Sequence, residues 1–135
     1  MKFVLDPKLE QDSEFIIDLP LCQARLSNNA AFPWIILVPR QDKLVEIIDL
    51  NQEDQEQLLR EIRQTSHILQ RHTKPKKLNI ANLGNIVAQL HVHIIARFET
   101  DPAWPNPVWN SGFNIPYSTS DKNKLLAQLV NQFKE

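Results

Sequence analysis

The chain reads as an α+β fold: a meander of antiparallel strands with one long helix, closed by a C-terminal helix. Three patterns point there. Residues 88–98 alternate as a strand should, with apolar Ala88, Leu90, Val92, Ile94 and Ala96 at every second position. Leu58, Ile62, Thr65, Leu69 and His72 recur at steps of 4, 3, 4 and 3, one face of a helix over about 50–73. Ser118-Thr119-Ser120-Asp121 then caps a final amphipathic stretch whose Leu125, Leu126, Leu129 and Phe133 turn inward. With 135 residues and no internal repeat or linker, a single domain over 1–135 is expected.

Along the chain, Asp6-Pro7 suits an N-cap followed by the first residue of a short helix ending near Asp12. Residues 21–26 alternate as a strand, and Ser27-Asn28-Asn29 are turn formers. Phe32-Pro33 opens a continuous apolar run at 34–38 bounded by Pro39, the pattern of a strand covered on both faces. Residues 45–50 predict a further short strand. Asn51 is placed to cap the long helix, with Glu53 and Asp54 in a first turn where the helix dipole favours negative charge. Lys74-Pro75 ends that helix. A strand over 77–83 and a Gly84-Asn85 turn lead into strand 88–98. The segment 101–109, with three prolines and two tryptophans, predicts a loop.

Composition excludes several functions. There are 2 Gly against 9 Pro, where an average chain of this length would hold roughly nine Gly. Two glycines cannot write a dinucleotide fingerprint, and neither flanks a P-loop Lys. Fifteen Lys and Arg against sixteen Asp and Glu give a net charge of −1, so no basic excess calls for a nucleic-acid polymer. Cys22, the single cysteine, rules out an internal disulfide and a cysteine zinc site and fits a small buried strand residue. No apolar run approaches the ~20 residues that span a bilayer. The N-terminal Met-Lys-Phe-Val-Leu-Asp-Pro meets charge and proline too early for a signal peptide, so a cytoplasmic protein without membrane association is expected.

The chemistry concentrates on the strand at 88–98. Its odd positions are Gln89, His91, His93, Ile95 and Arg97, so alternation sets Gln, His, His and Arg along one face, about 6.5–7 Å apart. Two imidazoles that close resist being charged together, so at least one is expected neutral at pH 7. A neutral imidazole is a nucleophile, and a neighbouring donor binds anionic oxygen, a site Arg97 could extend. A His-x-His pair on a strand also suits a metal, although no third ligand stands out nearby. His67 and His72, five apart on the long helix, share no face and read as structural.

Gly84-Asn85-Ile86-Val87-Ala88-Gln89-Leu90-His91-Val92-His93-Ile94-Ile95-Ala96-Arg97 resembles the signature of the histidine triad superfamily, His-φ-His-φ-His-φ-φ with φ hydrophobic. The Leu-Gly-Asn turn and the Trp-Pro-x-Pro-x-Trp segment at 104–109 are most similar to a bacterial branch resembling dinucleoside polyphosphate hydrolases. The resemblance covers roughly residues 15–110. It implies an α+β homodimer that needs no cofactor or metal. It implies that His91 attacks the α-phosphorus of a nucleotide to form a nucleotidyl-histidine, which water hydrolyses. It implies that His93 binds phosphate oxygen and orients the nucleophile, with Gly84 and Asn85 turning toward phosphate. Asn28 and Asn79 carry over as nucleotide contacts, from a ribose-binding loop and from the strand before the turn.

Three departures from the pattern bear on function. Gln89 replaces the first triad histidine and cannot shuttle a proton near neutrality, which favours good leaving groups such as nucleoside polyphosphates. A glutamine triad occurs in the galactose-1-phosphate uridylyltransferase branch, at the third position, so nucleotidyl transfer stays open beside hydrolysis. Trp34 stands where many relatives have His and is expected in the core or a dimer interface, and Ala96 stands where they often have Pro. Two other functions remain: a nucleotide-binding or sensing module with little catalysis because of Gln89, and a metal-binding β-protein using His91 and His93.

Overall fold

The structure, a computed structural model, describes residues 2–135. Its elements in chain order are α1 (Pro7–Asp12), β1 (Ser13–Asp18), β2 (Cys22–Ser27), β3 (Trp34–Pro39), α2 (Gln52–Thr73), β4 (Lys77–Ala81), β5 (Val92–Arg97) and α3 (Thr119–Lys134). The strands form one antiparallel sheet in the order β1-β2-β3-β5-β4. This is the α+β meander expected, with the long helix α2 between β3 and β4.

Capping follows the sequence closely. Asp6 accepts from the Lys8 N–H at 2.8 Å ahead of Pro7. Asn51 accepts from the Asp54 N–H at 2.8 Å, and Ser118 from the Asp121 N–H at 3.1 Å. Lys74 closes α2 in the left-handed region at φ 53° just before Pro75. The helix turns inward on a slightly different stripe from the one expected, with Leu58, Glu61, Thr65, Ile68 and Leu69 buried and His72 exposed.

The sheet separates two environments. Ala24, Leu26, Ile35, Leu37, Val92 and Ile94 point toward α2 and α3, where Leu58, Ile68, Leu69, Leu129 and Phe133 complete the main core. The opposite face carries two smaller apolar clusters. Leu9 of α1 packs with Ile36, Val38, Phe3 and Leu5 in one. Phe32 and Ile95 meet Ala103 and Val108 from the 101–109 loop in the other. The space left between α1 and that loop, on this outer face, is a cleft lined by His91 and His93.

Three expectations are corrected. Strand β1 has no counterpart in the sequence reading, because a bulge between Phe15 and Ile17 replaces period-2 alternation with burial at Ser13 and Ile16. Residues 45–50 form no strand but a 3-10 turn at Ile47–Asp49, in which the Asp49 carboxylate accepts from the Val45 and Glu46 N–H groups at 3.1 and 2.8 Å. The strand expected over 88–98 pairs only as Val92–Arg97, and that over 77–83 only as Lys77–Ala81. Ladder pairing stops at Leu37↔Val92 and Ala81↔His93, so residues 88–91, with a bend at Gln89, have no neighbouring strand.

Candidate active site

His93 sits on β5 opposite Ile36 of β3, which points its ring to the outer face. His91, just before the strand, brings its ring centroid to 4.9 Å from that of His93, nearly perpendicular at 78°. Both side chains are buried, 5% and 6% exposed. His91 Nδ1 lies 2.6 Å from the backbone carbonyl of Gln89. A carbonyl can only accept, so Nδ1 carries the proton, and in the uncharged ring Nε2 holds the lone pair. For His93 the polarity is reversed. The indole Nε1–H of Trp34 donates to its Nδ1 at 3.0 Å, which leaves the proton on Nε2. Burial, followed by the neighbouring His91, lowers the His93 pKa to about 3, so this imidazole is neutral at pH 7.

A cleft of about 410 Å³ opens over the two rings. Leu9, Lys8 and Asp12 of α1 form one wall; Leu83, Gly84, Asn85, Ile86 and Val87 form another; Trp109 and Asn110 close the end. Its floor is Ser27, Trp34, Ile36 and the histidine pair. Trp109 meets His93 edge-on at 5.0 Å and Trp34 at 5.7 Å, so His93 is enclosed by three aromatic rings. Among the described residues the charged side chains in the lining are Lys8 and Asp12, which pair with each other at 3.0 Å. A larger open depression of about 600 Å³ lies over β1 and β2. Its Arg25 is committed to Ser13 and Gln23 and offers less chemistry.

The profile of the HIT domain matches residues 8–100. The chain belongs to the HIT family. It is similar over nearly its whole length to three solved histidine triad proteins. That from Bradyrhizobium japonicum is 42% identical, with 98% of this chain and 99% of that one aligned and a TM-score of 0.96. That from Sinorhizobium meliloti 1021 is 42% identical over 96% of each chain, with a TM-score of 0.93. That from Marinobacter aquaeolei VT8 is 36% identical over 99% and 98%, with a TM-score of 0.96. No curated protein matches the chain.

Within this HIT domain the residues singled out by sequence divide into two groups. His91, His93, Gly84 and Asn85 line the cleft together. Gly84 holds φ +96°, a value L side chains rarely adopt, while a Cβ there would meet only the Val87 carbonyl at an ordinary 3.5 Å. Its requirement is therefore backbone conformation rather than space.

Gln89, Asn28, Asn79 and Arg97 are outside the lining. The Gln89 side chain accepts from the Asp6 N–H and donates to the Val4 carbonyl, both at 2.9 Å, and so tethers the N-terminal segment. Its contribution beside the histidines is its backbone carbonyl. Asn28 donates to the Gln11 carbonyl at 3.0 Å. Arg97, 2% exposed, forms a two-pronged bond to Asp101 at 2.8 and 3.0 Å and also donates to Asn79 Oδ1 and the Asn106 carbonyl. Burial pushes the Asp101 carboxyl up, but the Arg97 bonds and the Phe98 and Ala103 N–H groups bring it down to about 2. Arg97 and Asp101 thus fasten the 101–109 loop to β5, and that loop holds Trp109 on His93 while sealing Ile95 with Ala103 and Val108.

Trp34, Lys8, Leu9 and Asp12 are lining residues the sequence reading did not assign to the site. The indole of Trp34 reaches His93 only because β3 pairs with β5 in the register Ile36↔His93, a relation no local pattern encodes. Cys22 is fully buried, and burial together with the nearby Glu61 charge drives its thiol pKa far up, as suits a core residue. His67 and His72 are exposed on α2. Among the described residues, no group of three or more His, Cys, Asp or Glu is arranged to hold a metal ion, and no helix is long and apolar enough to cross a membrane.

Proposed function

We propose that this HIT protein cleaves a nucleotide conjugate at its α-phosphorus, by hydrolysis or nucleotidyl transfer, through a covalent nucleotidyl-His91 intermediate. One observation carries the reading. His91 Nδ1–H is tied to the Gln89 carbonyl, which leaves the Nε2 lone pair for the cleft beside a second, neutral imidazole. In the first step Nε2 attacks phosphorus, a P–N bond forms, and the P–O bond to the leaving group breaks with its electron pair. Charge builds on the equatorial oxygens, where the His93 N–H and the turn at Gly84 and Asn85 stabilise it. Water then attacks phosphorus from the side opposite Nε2 and gives up a proton to solvent, the P–N bond breaks with its electron pair returning to Nε2, and a nucleoside monophosphate leaves.

Gln89 cannot supply a proton to the leaving group, and its amide is occupied by Val4 and Asp6. A group that departs as a stable anion is therefore favoured, and the nucleoside polyphosphate half of a dinucleoside polyphosphate meets that requirement. The experiment is to mix the protein with a labelled dinucleoside tetraphosphate and quench in base. Label is expected on His91, and His91→Asn should lower turnover by on the order of 10³-fold or more while retaining nucleotide binding. Full turnover in His91→Asn would overturn the mechanism. The same commitment of Gln89 supports a second reading, a nucleotide-binding or sensing module. That reading predicts tight binding with no turnover across a panel of polyphosphates and phosphoramidates.

Two copies of the chain are read as a homodimer. Strand β4 supports this: it ends the sheet, so its outer backbone groups have no ladder partner, and its Ile80 is 51% exposed.

A further inference from the structure

We propose that Trp34 is a positioning residue: by occupying His93 Nδ1, its indole N–H fixes the imidazole proton on Nε2 and so presents a neutral N–H donor to a phosphoryl oxygen in the cleft. The inference rests on the nucleotide reading for the identity of the acceptor, but its geometric content concerns the free protein.

The argument begins with donor and acceptor types. An indole nitrogen only donates, so the 3.0 Å contact from Trp34 requires an unprotonated Nδ1 on His93. Protonating that nitrogen would set two N–H groups against each other at hydrogen-bond distance. It would also place a charge among aromatic rings, in a side chain 6% exposed. The Trp34 and Trp109 rings pack edge-on against His93 at 5.5 and 5.0 Å, which restrains rotation of the imidazole and keeps the bond aligned. Among the described residues His93 Nε2 has no hydrogen-bond partner, and the His93 side chain lines the cleft.

The charged and titratable groups around His93 leave this arrangement in place. His91 is the nearest, with its ring at 4.9 Å, and a positive charge there would oppose a second one on His93. Lys8 and Asp12 of α1 pair with each other on one wall of the cleft. Arg97, farther along β5 on the same face, is bound to Asp101. None of these supplies a carboxylate to draw a proton onto Nδ1. A permanently neutral donor differs from a protonated histidine in one functional respect. It binds a phosphoryl oxygen without forming a strong ion pair to the ground-state nucleotide, so its contribution grows as charge develops on that oxygen.

The test is long-range 1H–15N NMR of the histidine side chains in the free protein, from pH 8 to 5. The expected result is a single His93 tautomer, protonated on Nε2 and unchanged over the range, with the Trp34 indole proton shifted downfield by its hydrogen bond. Trp34→Phe keeps an aromatic ring and removes the donor. It should release Nδ1, so that the Nδ1–H tautomer of His93 appears beside the Nε2–H form at pH 8, read from the imidazole 15N shifts. A His93 protonated on Nδ1, or titrating near the ordinary 6.5 in the wild type, would overturn the proposal whether or not Trp34→Phe folds. An unchanged single Nε2–H tautomer in folded Trp34→Phe would overturn it as well. Failure of nucleotide turnover with the NMR result intact would count against the hydrolase reading and leave the role of Trp34 standing.

Discussion

His93 has a titration set by burial and by a neighbouring ring, and that has a thermodynamic cost at low pH. The folded protein holds its pKa near 3, whereas the unfolded chain binds a proton at the ordinary 6.5. Between those values the unfolded state carries more protons, so stability is full above 6.5 and declines as pH falls toward 3. At pH 5 the expected loss from this one group is about 2 kcal/mol. Urea unfolding of wild type and His93→Gln at pH 7.5 and pH 5 checks it: the wild type should lose about 2 kcal/mol more than the variant. Equal losses would show that His93 titrates normally. At this scale the sequence exposed His91, His93, Gly84 and Asn85, because they lie within one short segment whose alternation and turn are local. It could not foresee Trp34 or Leu9, which reach the cleft from β3 and α1. Nor could it foresee that Arg97 is bound to Asp101, since periodicity reports a face and not a bonding partner.

Among the elements, α2 is joined to the sheet by a polar contact as well as by its apolar stripe. Glu61, 1% exposed, accepts the N–H groups of Leu21 and Cys22 at 2.9 and 2.8 Å, and Gln57 donates to it at 2.7 Å. The carboxylate thus satisfies two backbone N–H groups at the turn between β1 and β2. Glu61→Ala leaves two buried backbone donors unpaired and should destabilise by roughly 2–4 kcal/mol, with Glu61→Gln losing less because its carbonyl still accepts. Urea midpoints at pH 7 measure both, and a change below about 0.5 kcal/mol for Glu61→Ala would refute the assignment. The helices were legible because caps and 3.6-residue periodicity are local signals, as Asn51, Ser118 and Asp6 illustrate. The strands were less so. The bulge in β1 erased its alternation, and residues 88–91 alternate without a neighbouring strand to pair with.

For the whole molecule, the sheet order makes β4 an open edge next to the site. If two copies associate through it, light scattering should give twice the chain mass, and Ile80→Lys should shift the population toward monomer by placing a charge on that edge. A wild-type chain of monomer mass at micromolar concentration would remove the dimer from the account. The way the fold gathers its aromatic residues has a practical outcome. All three tryptophans of the chain lie around one strand: Trp34 and Trp109 against the His93 ring, and Trp104 over the Arg97 guanidinium that anchors the loop. A ligand settling on the imidazoles strips water from two of the three indoles together, and Trp104 alone supplies background emission. Ultraviolet fluorescence of the unlabelled protein thereby becomes a direct optical gauge of occupancy, usable in titration or stopped flow without any attached dye.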